Sequence, residues 1–493
     1  MSTTRSTLPH PRVHRREMIQ SGAIGLLGLN AQNVARARTV SDTMMLPPAK
    51  KVVYIFLPGG PPQHETFDPK PMATAEVRGE FNAIETAVPG MLFCEHLPLL
   101  AKQAGKIALL RSVHHHSNDH IAGTTIMTSG DTRVPALTPE TKEPDTGDAP
   151  GIASLAGYFR PGAEQLPGSA VLPEYVGRGS GTGQTVPGQQ GGRLGRQHDP
   201  WLVQAASRCL GWGACPNCFD DGDDDAVFAF GLQHNHTVPG PVFAATSLNV
   251  PQGADRVRLD QRLSLLDSLE RCRVRPVPGP DARTHDSFRA RAASMVTSSR
   301  VQKALNGFTE QDKRQDRYGH NKFGWSLLLT RHLLEAGVNM IQVSLGRNGT
   351  WDLHRRAFPL LKESLLPPMD LAVSSFLEDL QQRGLLDETL VVMCGEFGRT
   401  PRISSPQPGR RPGRDHWGAL QTILFAGGGV TGGNIVGSSD RIGGYPHECP
   451  RTPEDVAATI FDALGIPQDS IYHDMTGRPY PVYLGSPVTE LYM

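Results

Sequence analysis

Four short and almost entirely apolar runs constrain the fold of this chain more than any other feature. They occupy residues 51–57, 338–344, 389–394 and 420–426, and a glycine follows each within two residues. Strands that are buried on both faces have such continuous apolar runs, whereas half-exposed strands alternate. Helical periodicity is found between or after these runs, over residues 323–336, 359–383 and 452–464. The alternation predicts an α/β fold with a mostly parallel central sheet and helices on both of its faces.

Carboxylates and imidazoles lie beside the ends of the predicted strands, where parallel sheets build their sites. The first run is followed by Glu65 and Asp68, and a short strand at 106–110 is followed by His114 to His116 and His120. The run at 338–344 is followed by Asp352 and His354, and the run at 389–394 by Glu396. The last run is preceded by Asp415 and His416. Carboxylate with imidazole suits zinc or manganese, and more oxygen ligands suit calcium or magnesium. The pattern predicts a divalent-metal site, with zinc as the first choice.

The candidate ligands differ in how strongly their setting favours a metal over an ordinary surface or capping role. Asp352 and His354 form an Asp-x-His pair after a strand, and both can face one ion. Glu396 lies between glycines and is either a ligand or a turn residue. His416 is a candidate ligand with the adjacent Asp415 as its carboxylate partner. Three consecutive histidines cannot all face one point, so we expect at most two of His114 to His116 to be functional.

Composition excludes some classes of function. Lys and Arg together number 49, as do Asp and Glu, so the balanced charge gives no reason to expect nucleic-acid binding. The segment at about 177–250 is rich in Gly, Pro and polar residues and is predicted to be an insertion in one domain spanning 46–485. It contains Cys215 and Cys218, for which a local disulfide is favoured over a zinc ribbon because no well-spaced second ligand pair follows.

The amino terminus has the features of an export signal. Adjacent Arg15 and Arg16 precede a short apolar run, and Ala35 and Ala37 form an Ala-x-Ala-like cleavage site. The run is too short to span a bilayer, and no other segment of the sequence looks transmembrane. We therefore expect residues 1–40 to be a twin-arginine signal and linker, recognised by the twin-arginine export machinery, and the mature protein to be periplasmic or extracellular. The alternative is a disordered basic arm.

Five ordered motifs resemble one family. FLPGGPPQHETFDPKP, SVHHHSNDHIAGTTIMTSG, WDLH, GEFGRTPRIS and GRDHWG, the last followed by a glycine-rich run, are similar to the exported bacterial family called domain of unknown function 1501. The resemblance extends from about residue 50 to residue 485. It implies an alkaline-phosphatase-like fold within the superfamily that also contains the sulfatases.

The resemblance also implies roles for individual residues. Glu65 stands where family members often have aspartate as the first metal-binding acid, and Asp352 and His354 with His416 resemble the ligands of one metal. Glu396 with Phe397 resembles the Asp-His pair of a second metal, although Phe397 cannot be a ligand. Relatives by fold start a helix with a Ser, Thr or modified Cys ten residues before a glycine. Here that position, counted from Gly130, is His120.

These implications lead to two expectations about function. The first is an exported metal-dependent hydrolase of phosphate or sulfate esters, acting on a small-molecule or polysaccharide substrate. In it the metal is bound by Glu65, Asp352, His354, Glu396 and His416. His120 is catalytic as a nucleophile or general acid or base, or is a further ligand, and Arg399 and Arg414 bind the anionic substrate. An imidazole cannot replace the formylglycine of sulfatases, so an ordinary sulfatase mechanism is disfavoured. The second expectation is a non-catalytic surface or polysaccharide-binding protein that retains the fold.

Overall fold

An eight-stranded mixed sheet forms the centre of the molecule in the computed structural model. The structure describes residues 49–204 except 140, 163–165 and 178–183, then 256–271, 289, 292, 299–306, 313–319, 321–404 except 348, and 411–493. The predicted export signal, the Cys215 and Cys218 pair and most of the predicted insertion lie outside these residues. Within the described residues, none of the helices is both long and apolar enough to cross a membrane.

The strands are β1 Lys51–Phe56, β2 Ala83–Glu85, β3 Leu92–Cys94, β4 Ile107–Val113, β5 Ser169–Leu172, β6 Trp201–Leu202, β7 Met340–Ser344, β8 Thr389–Cys394, β9 Gly398–Arg399, β10 His416–Trp417, β11 Gln421–Ala426, β12 Ile435–Val436, β13 Ser438–Ser439, β14 Pro446–Glu448, β15 Ile471–His473 and β16 Pro479–Pro481. The α-helices are α1 Ala75–Arg78, α2 Pro98–Lys102, α3 His120–Ser129, α4 Ile152–Phe159, α5 Arg256–Arg271, α6 Ser299–Asn306, α7 Lys313–Tyr318, α8 Lys322–Ala336, α9 Ala357–Leu360, α10 Leu366–Gln382 and α11 Pro453–Ala463. Short 3₁₀ turns occupy Ala104–Lys106, Gly192–Leu194, Arg196–His198 and Thr489–Tyr492.

The strand order of the central sheet explains where the polar loops meet. The order is β12-β4-β11-β8-β1-β7-β5-β6. All neighbouring pairs are parallel except those of β11, which is antiparallel to both β4 and β8. The loops that follow β1, β4, β7 and β8 therefore lie at one edge. Because β11 runs the opposite way, the segment that precedes it reaches the same edge.

Side chains of the sheet alternate between two cores, each covered by helices. On β1, Val53 and Ile55 pack with residues of α2, α8 and α10, whereas Val52, Tyr54 and Phe56 pack with residues of α3, α4 and α11. This confirms the predicted α/β class with a mostly parallel sheet between two helical layers. The continuous apolar runs result from burial on both faces.

Several helix boundaries follow from local chemistry. Gly337 ends α8 in the left-handed region, with a φ of 110°. Thr452 and Asp455 form a capping box at the start of α11, with proline at its first position. The predicted helix over 359–383 is instead interrupted by a π-helical segment, Leu361–Leu365, just before the two prolines that begin α10. Strand β5 ends at Leu172, since Pro173 has no N–H for the ladder.

Candidate metal centre

Helix α3 places His120 at the sheet edge. Asp119 caps the helix by accepting a hydrogen bond of 2.8 Å from the Ala122 N–H. The helix starts at His120, directly after the loop that follows β4, and ends at Gly130, which has a φ of 66°. Aspartate is a strong helix N-cap, and glycine adopts the left-handed conformation without strain. These two residues fix the ten-residue spacing between His120 and Gly130 as one complete helix.

Three imidazoles meet at the carboxylate of Asp352. The Nε2 atoms of His354 and His416 each lie 3.0 Å from Asp352 Oδ1. The Nε2 atom of His120 lies 3.1 Å from Asp352 Oδ2 and is not aligned for a hydrogen bond. His354 Nε2 and His416 Nε2 are 2.9 Å apart. Four predicted site residues from three different loops thus converge on one point.

The other ring nitrogen of each histidine is held by an acceptor. His120 Nδ1 is 2.6 Å from Glu396 Oε1, His354 Nδ1 is 2.7 Å from Asp415 Oδ1, and His416 Nδ1 is 2.8 Å from the carbonyl oxygen of Asn118. A neutral imidazole that donates its Nδ1–H retains a lone pair on Nε2. Metal-binding histidines are oriented by the same kind of partner.

This arrangement fits a divalent cation. When all three rings are neutral, three Nε2 lone pairs face one another and a carboxylate, which is repulsive unless a cation or a proton lies among them. Ligand atoms of His120, Asp352 and His416 all lie within 4.8 Å of one another, and this is the one such group of three among the described residues. His354 extends the set to three nitrogens and one oxygen, a donor combination found at zinc sites.

The candidate ligands are partly exposed, whereas Glu396, which supports one of them, is buried. The side chains of His120, Asp352, His354 and His416 are between 20% and 37% exposed. Glu396, which holds the His120 ring from below, is 1% exposed. The candidate ligands thus lie between a buried floor and solvent.

The charges of the site favour ionised carboxylates. Burial raises the pKa of Asp352, but the three facing histidines and the nearby Arg399 outweigh it and hold that pKa well below its usual range. Burial lowers the pKa of His120, but the carboxylates of Asp352 and Glu396 raise it to about 9. The pKa of His416 is lowered by burial. Metal binding requires a neutral His120 ring, so a metal and a proton compete for its Nε2.

Gly59 joins three of the loops that build the site. Its N–H donates to both oxygens of Glu396, at 2.8 and 3.0 Å. Its φ is +112°, and a Cβ atom there would lie 2.4 Å from the backbone nitrogen of Asp352. Only glycine satisfies both the backbone conformation and the close approach. The glycine-rich loop after β1 thus sets the distance between the Glu396 floor and the Asp352 loop.

Phe397 forms an apolar wall beside the imidazoles. Its ring centroid is 5.1 Å from that of His120 and 4.7 Å from that of His416. The ring is fully buried and packs where the resemblance implies an imidazole ligand of a second metal. Aromatic contacts of this kind fix ring orientation and exclude water from one side of the site.

Glu65 and Arg414 require a correction, because they bind each other instead of a metal and a substrate. Arg414 Nη2 is 2.6 Å from Glu65 Oε1, and both side chains are 2% exposed. The remaining N–H groups of Arg414 donate to the backbone carbonyls of Val77, Thr400 and Pro401. The guanidinium is thus fully engaged, and the Glu65 carboxylate is neutralised away from the imidazole cluster.

Arg399 also requires a correction. It is predicted to bind an anionic substrate, but its side chain is 1% exposed and donates only to groups of the protein itself, including Asp352 Oδ1 at 2.7 Å. Asp68, the alternative first acid, pairs with Lys70 at 3.0 Å. Of the histidine triplet, His115 is buried against the Glu396 carbonyl and His116 bonds to the Val134 carbonyl, so neither joins the cluster.

Two features of the site lie beyond sequence reasoning. The Asn118 carbonyl orients His416, and backbone carbonyls carry no residue-specific signal. Asp415 holds His354, although its position next to His416 suggests that it serves that ring. The Asn118 side chain also accepts a hydrogen bond of 2.6 Å from the Gly418 N–H, so the segment before α3 and the segment after β10 are tied together.

Known structures and families resemble this chain at different levels. It is similar to the crystal structure of the PsFucS1 sulfatase from Pseudoalteromonas sp., with 12% identity, 93% of this chain and 74% of that chain covered, and a TM-score of 0.37. It is also similar to the phosphonate monoester hydrolase SpPMH from Silicibacter pomeroyi, with 12% identity, 90% and 76% covered, and a TM-score of 0.31. No curated protein matches it.

A family match covers nearly the whole chain. The family described as Protein of unknown function (DUF1501) matches residues 49–492. That range contains every one of the five motifs and all residues of the Asp352 cluster. The chain therefore belongs to the DUF1501 family.

Proposed function

We propose that this protein is an exported metal-dependent hydrolase of phosphate or sulfate esters, with one divalent metal held by His120, Asp352, His354 and His416. One observation carries the proposal. Three Nε2 atoms converge on one carboxylate while each Nδ1 atom is held by an acceptor. Structural histidines rarely need three such tautomer-fixing partners around one point, whereas metal ligands do.

The donor set favours zinc. Three imidazole nitrogens and one carboxylate oxygen suit zinc, or manganese among the alternatives, better than calcium or magnesium, which prefer oxygen ligands. A divalent metal at this position supplies Lewis acidity and lowers the pKa of water. The protein's own part is to hold the imidazoles with Glu396, Asp415 and the Asn118 carbonyl, and to keep one side of the site open.

The position of His120 determines which kind of attack is proposed. It starts the helix at the position where the resemblance implies a hydroxyl or thiol nucleophile. Its Nδ1 is engaged by Glu396, and its Nε2 faces the Asp352 carboxylate. An Nε2 atom without a hydrogen-bond partner among the other ligand atoms favours the ligand role of His120 over that of nucleophile or general acid or base. Water is then the attacking group, and the ester choice rests on the motif resemblance, with a small molecule or a polysaccharide as the substrate.

Activity and metal content together test the proposal. Purified protein is assayed for bound metal and screened against aryl phosphates and aryl sulfates. The His354→Ala variant is expected to lose both metal and hydrolysis. The matched control is His116→Ala, because His116 bonds to the Val134 carbonyl outside the cluster. Wild-type protein without metal, or a His354→Ala variant with full activity, contradicts the proposal.

The same screen addresses the second candidate, a non-catalytic binding protein that retains the fold. The absence of a hydroxyl at position 120 and the presence of Phe397 at the implied second-metal position favour it. Metal bound in the wild type without hydrolysis of any ester in the screen, together with binding of an anionic polysaccharide, would support this candidate over the hydrolase.

Export is part of the proposal and has its own test. Cell fractionation of the full chain is compared with that of a variant carrying both Arg15→Lys and Arg16→Lys. Wild-type protein is expected in the periplasm or medium, and the double variant in the cytoplasm. Equal distribution of the two proteins contradicts twin-arginine export and leaves the metal site untouched.

A further inference from the structure

Arg399 is anchored more completely than a substrate-binding arginine needs to be. It lies on β9, where it is paired with His416 of β10. Its backbone N–H donates to Gln63 Oε1 at 2.8 Å, and its carbonyl accepts from Gln63 Nε2 at 2.8 Å. Gln63 is itself buried in the loop after β1. The backbone from which the Arg399 side chain projects is thus fixed on two sides.

The guanidinium of Arg399 binds three separate segments. Its Nε donates to the Gly60 carbonyl at 2.9 Å, and Nη1 donates to the Arg414 carbonyl at 3.0 Å. Its Nη2 contacts the carbonyls of Gly59 and Trp351, and donates to Asp352 Oδ1 at 2.7 Å. A planar fork with five N–H groups can serve acceptors in several directions at once, which a lysine cannot. The loops after β1 and β7 and the segment before β10 are joined by this one group.

The contact with Asp352 matters because that carboxylate is the centre of the imidazole cluster. Oδ1 of Asp352 accepts from Arg399 on its buried side, and the Nε2 atoms of His354 and His416 approach the same oxygen at 3.0 Å. The Asp352 side chain is 26% exposed, so without this contact its carboxylate has solvent to turn into. The guanidinium holds the oxygen in the position that completes the ligand set.

We propose that Arg399 is a positioning residue that acts through Asp352, setting the metal affinity of the site instead of binding substrate. The inference rests on the metal site proposed above. Partners that orient a metal ligand contribute about 10–100-fold to metal affinity. Arg414 provides a natural comparison, because it is equally buried and equally rich in hydrogen bonds, but it pairs with Glu65 and has no contact with a ligand of the cluster.

Zinc titration of metal-free protein tests the proposal. Arg399→Lys retains the charge but not the fork, and is expected to weaken zinc binding by about 10–100-fold. The matched Arg414→Lys variant is expected to keep zinc affinity within about threefold, although it loses stability through unpaired buried carbonyls. Zinc affinity that is unchanged in Arg399→Lys, or equally reduced in Arg414→Lys, overturns the proposal.

A double-mutant cycle separates positioning from general damage. If Arg399 acts through Asp352, then Arg399→Lys has little further effect on zinc affinity in an Asp352→Asn background, since contacting residues are non-additive. Additive losses overturn the proposal. If Arg399→Lys does not fold, Gln63→Asn withdraws the support of the Arg399 backbone more gently and is expected to weaken zinc binding several-fold. Folded Gln63→Asn protein with wild-type affinity also overturns it.

Zinc binding by the wild-type protein separates the proposed metal site from the proposed role of Arg399. Wild-type protein that binds no zinc contradicts the proposed metal site as a whole. Wild-type protein that binds zinc, with an Arg399→Lys variant of equal affinity, contradicts only the role of Arg399. Hydrolysis is not needed as a readout, so a non-catalytic metal protein gives the same test.

Discussion

Two groups of charged side chains lie in the loops at the same edge of the sheet and behave in opposite ways. The Asp352 cluster has three imidazoles around one carboxylate and is partly exposed. The Glu65–Arg414 pair is closed, almost fully buried and neutral by itself. Both groups consist of residue types that favour a metal or substrate site in the sequence. The difference shows that acidic or basic residues at a strand end do not by themselves indicate a binding site. The better indication is a group of possible ligand atoms whose charges and lone pairs the protein itself does not neutralise.

The largest effect is expected from breaking the closed pair. Glu65→Gln leaves the Arg414 charge buried without its partner, which costs about 3–5 kcal/mol of unfolding free energy. Urea denaturation measures this loss. Zinc affinity of the folded variant is expected to remain within about threefold of wild type, because Glu65 has no contact with the cluster. A stable Glu65→Gln variant that has lost zinc would assign Glu65 to the metal after all.

Removing the centre of the open cluster is expected to have the next largest effect. Asp352→Ala should weaken zinc binding by at least about 100-fold, since the loss of an outer partner alone costs about 10–100-fold. Isothermal titration with zinc measures it. Asp68→Asn is the control at the same sheet edge, because Asp68 pairs with Lys70 instead. Equal zinc affinity in wild type and Asp352→Ala would contradict a metal site at the Asp352 cluster.

A smaller effect is expected from the buried floor of the site. In Glu396→Gln one oxygen still faces His120, but an amide nitrogen replaces the oxygen that lies 3.0 Å from the Gly59 nitrogen. Zinc affinity is expected to fall by about tenfold, the lower end of the range for an outer partner. The same titration measures this change, and an undiminished affinity would show that the charge of Glu396 does not contribute to zinc binding.

The smallest effect is expected at Asp415, which performs the same task for His354 from a half-exposed position. Its side chain is 49% exposed, so water can replace the hydrogen bond to His354 Nδ1. Asp415→Asn is therefore expected to weaken zinc binding by about threefold or less. A loss larger than that of Glu396→Gln would reverse the ranking and show that burial of the supporting carboxylate is not what determines its contribution.

Much of the fold could be predicted because it depends on local patterns. The run at 389–394 coincides with β8, and the helical periodicity over 323–336 and 452–464 matches α8 and α11. These features depend on the preferences of neighbouring residues. The direction of β11 is not a local property, and without it the sequence gives no physical reason for His416, which precedes a strand, to meet residues that follow strands.

The structure brings some of the predicted site residues together and engages others in contacts within the protein. The side chains that come together at the sheet edge are Asp352, His354, His416, His120 and Glu396. All but His416 follow strands, and the role of each as a ligand or support stays a prediction. Glutamate and arginine can bind each other as readily as a metal or an anion, and only tertiary contacts decide between these roles. For this reason the sequence predicts external ligands for three residues that form contacts within the protein in the structure, namely Glu65, Arg399 and Arg414.

The metal content of the purified chain tests the central claim most directly. Wild-type protein and the Asp352→Ala variant are purified side by side without added metal, and elemental analysis measures the metal bound to each. We expect one divalent metal ion per wild-type chain, zinc in the first instance, and none in the variant. Equal metal content in the two proteins, or none in the wild type, would contradict a metal centre at Asp352.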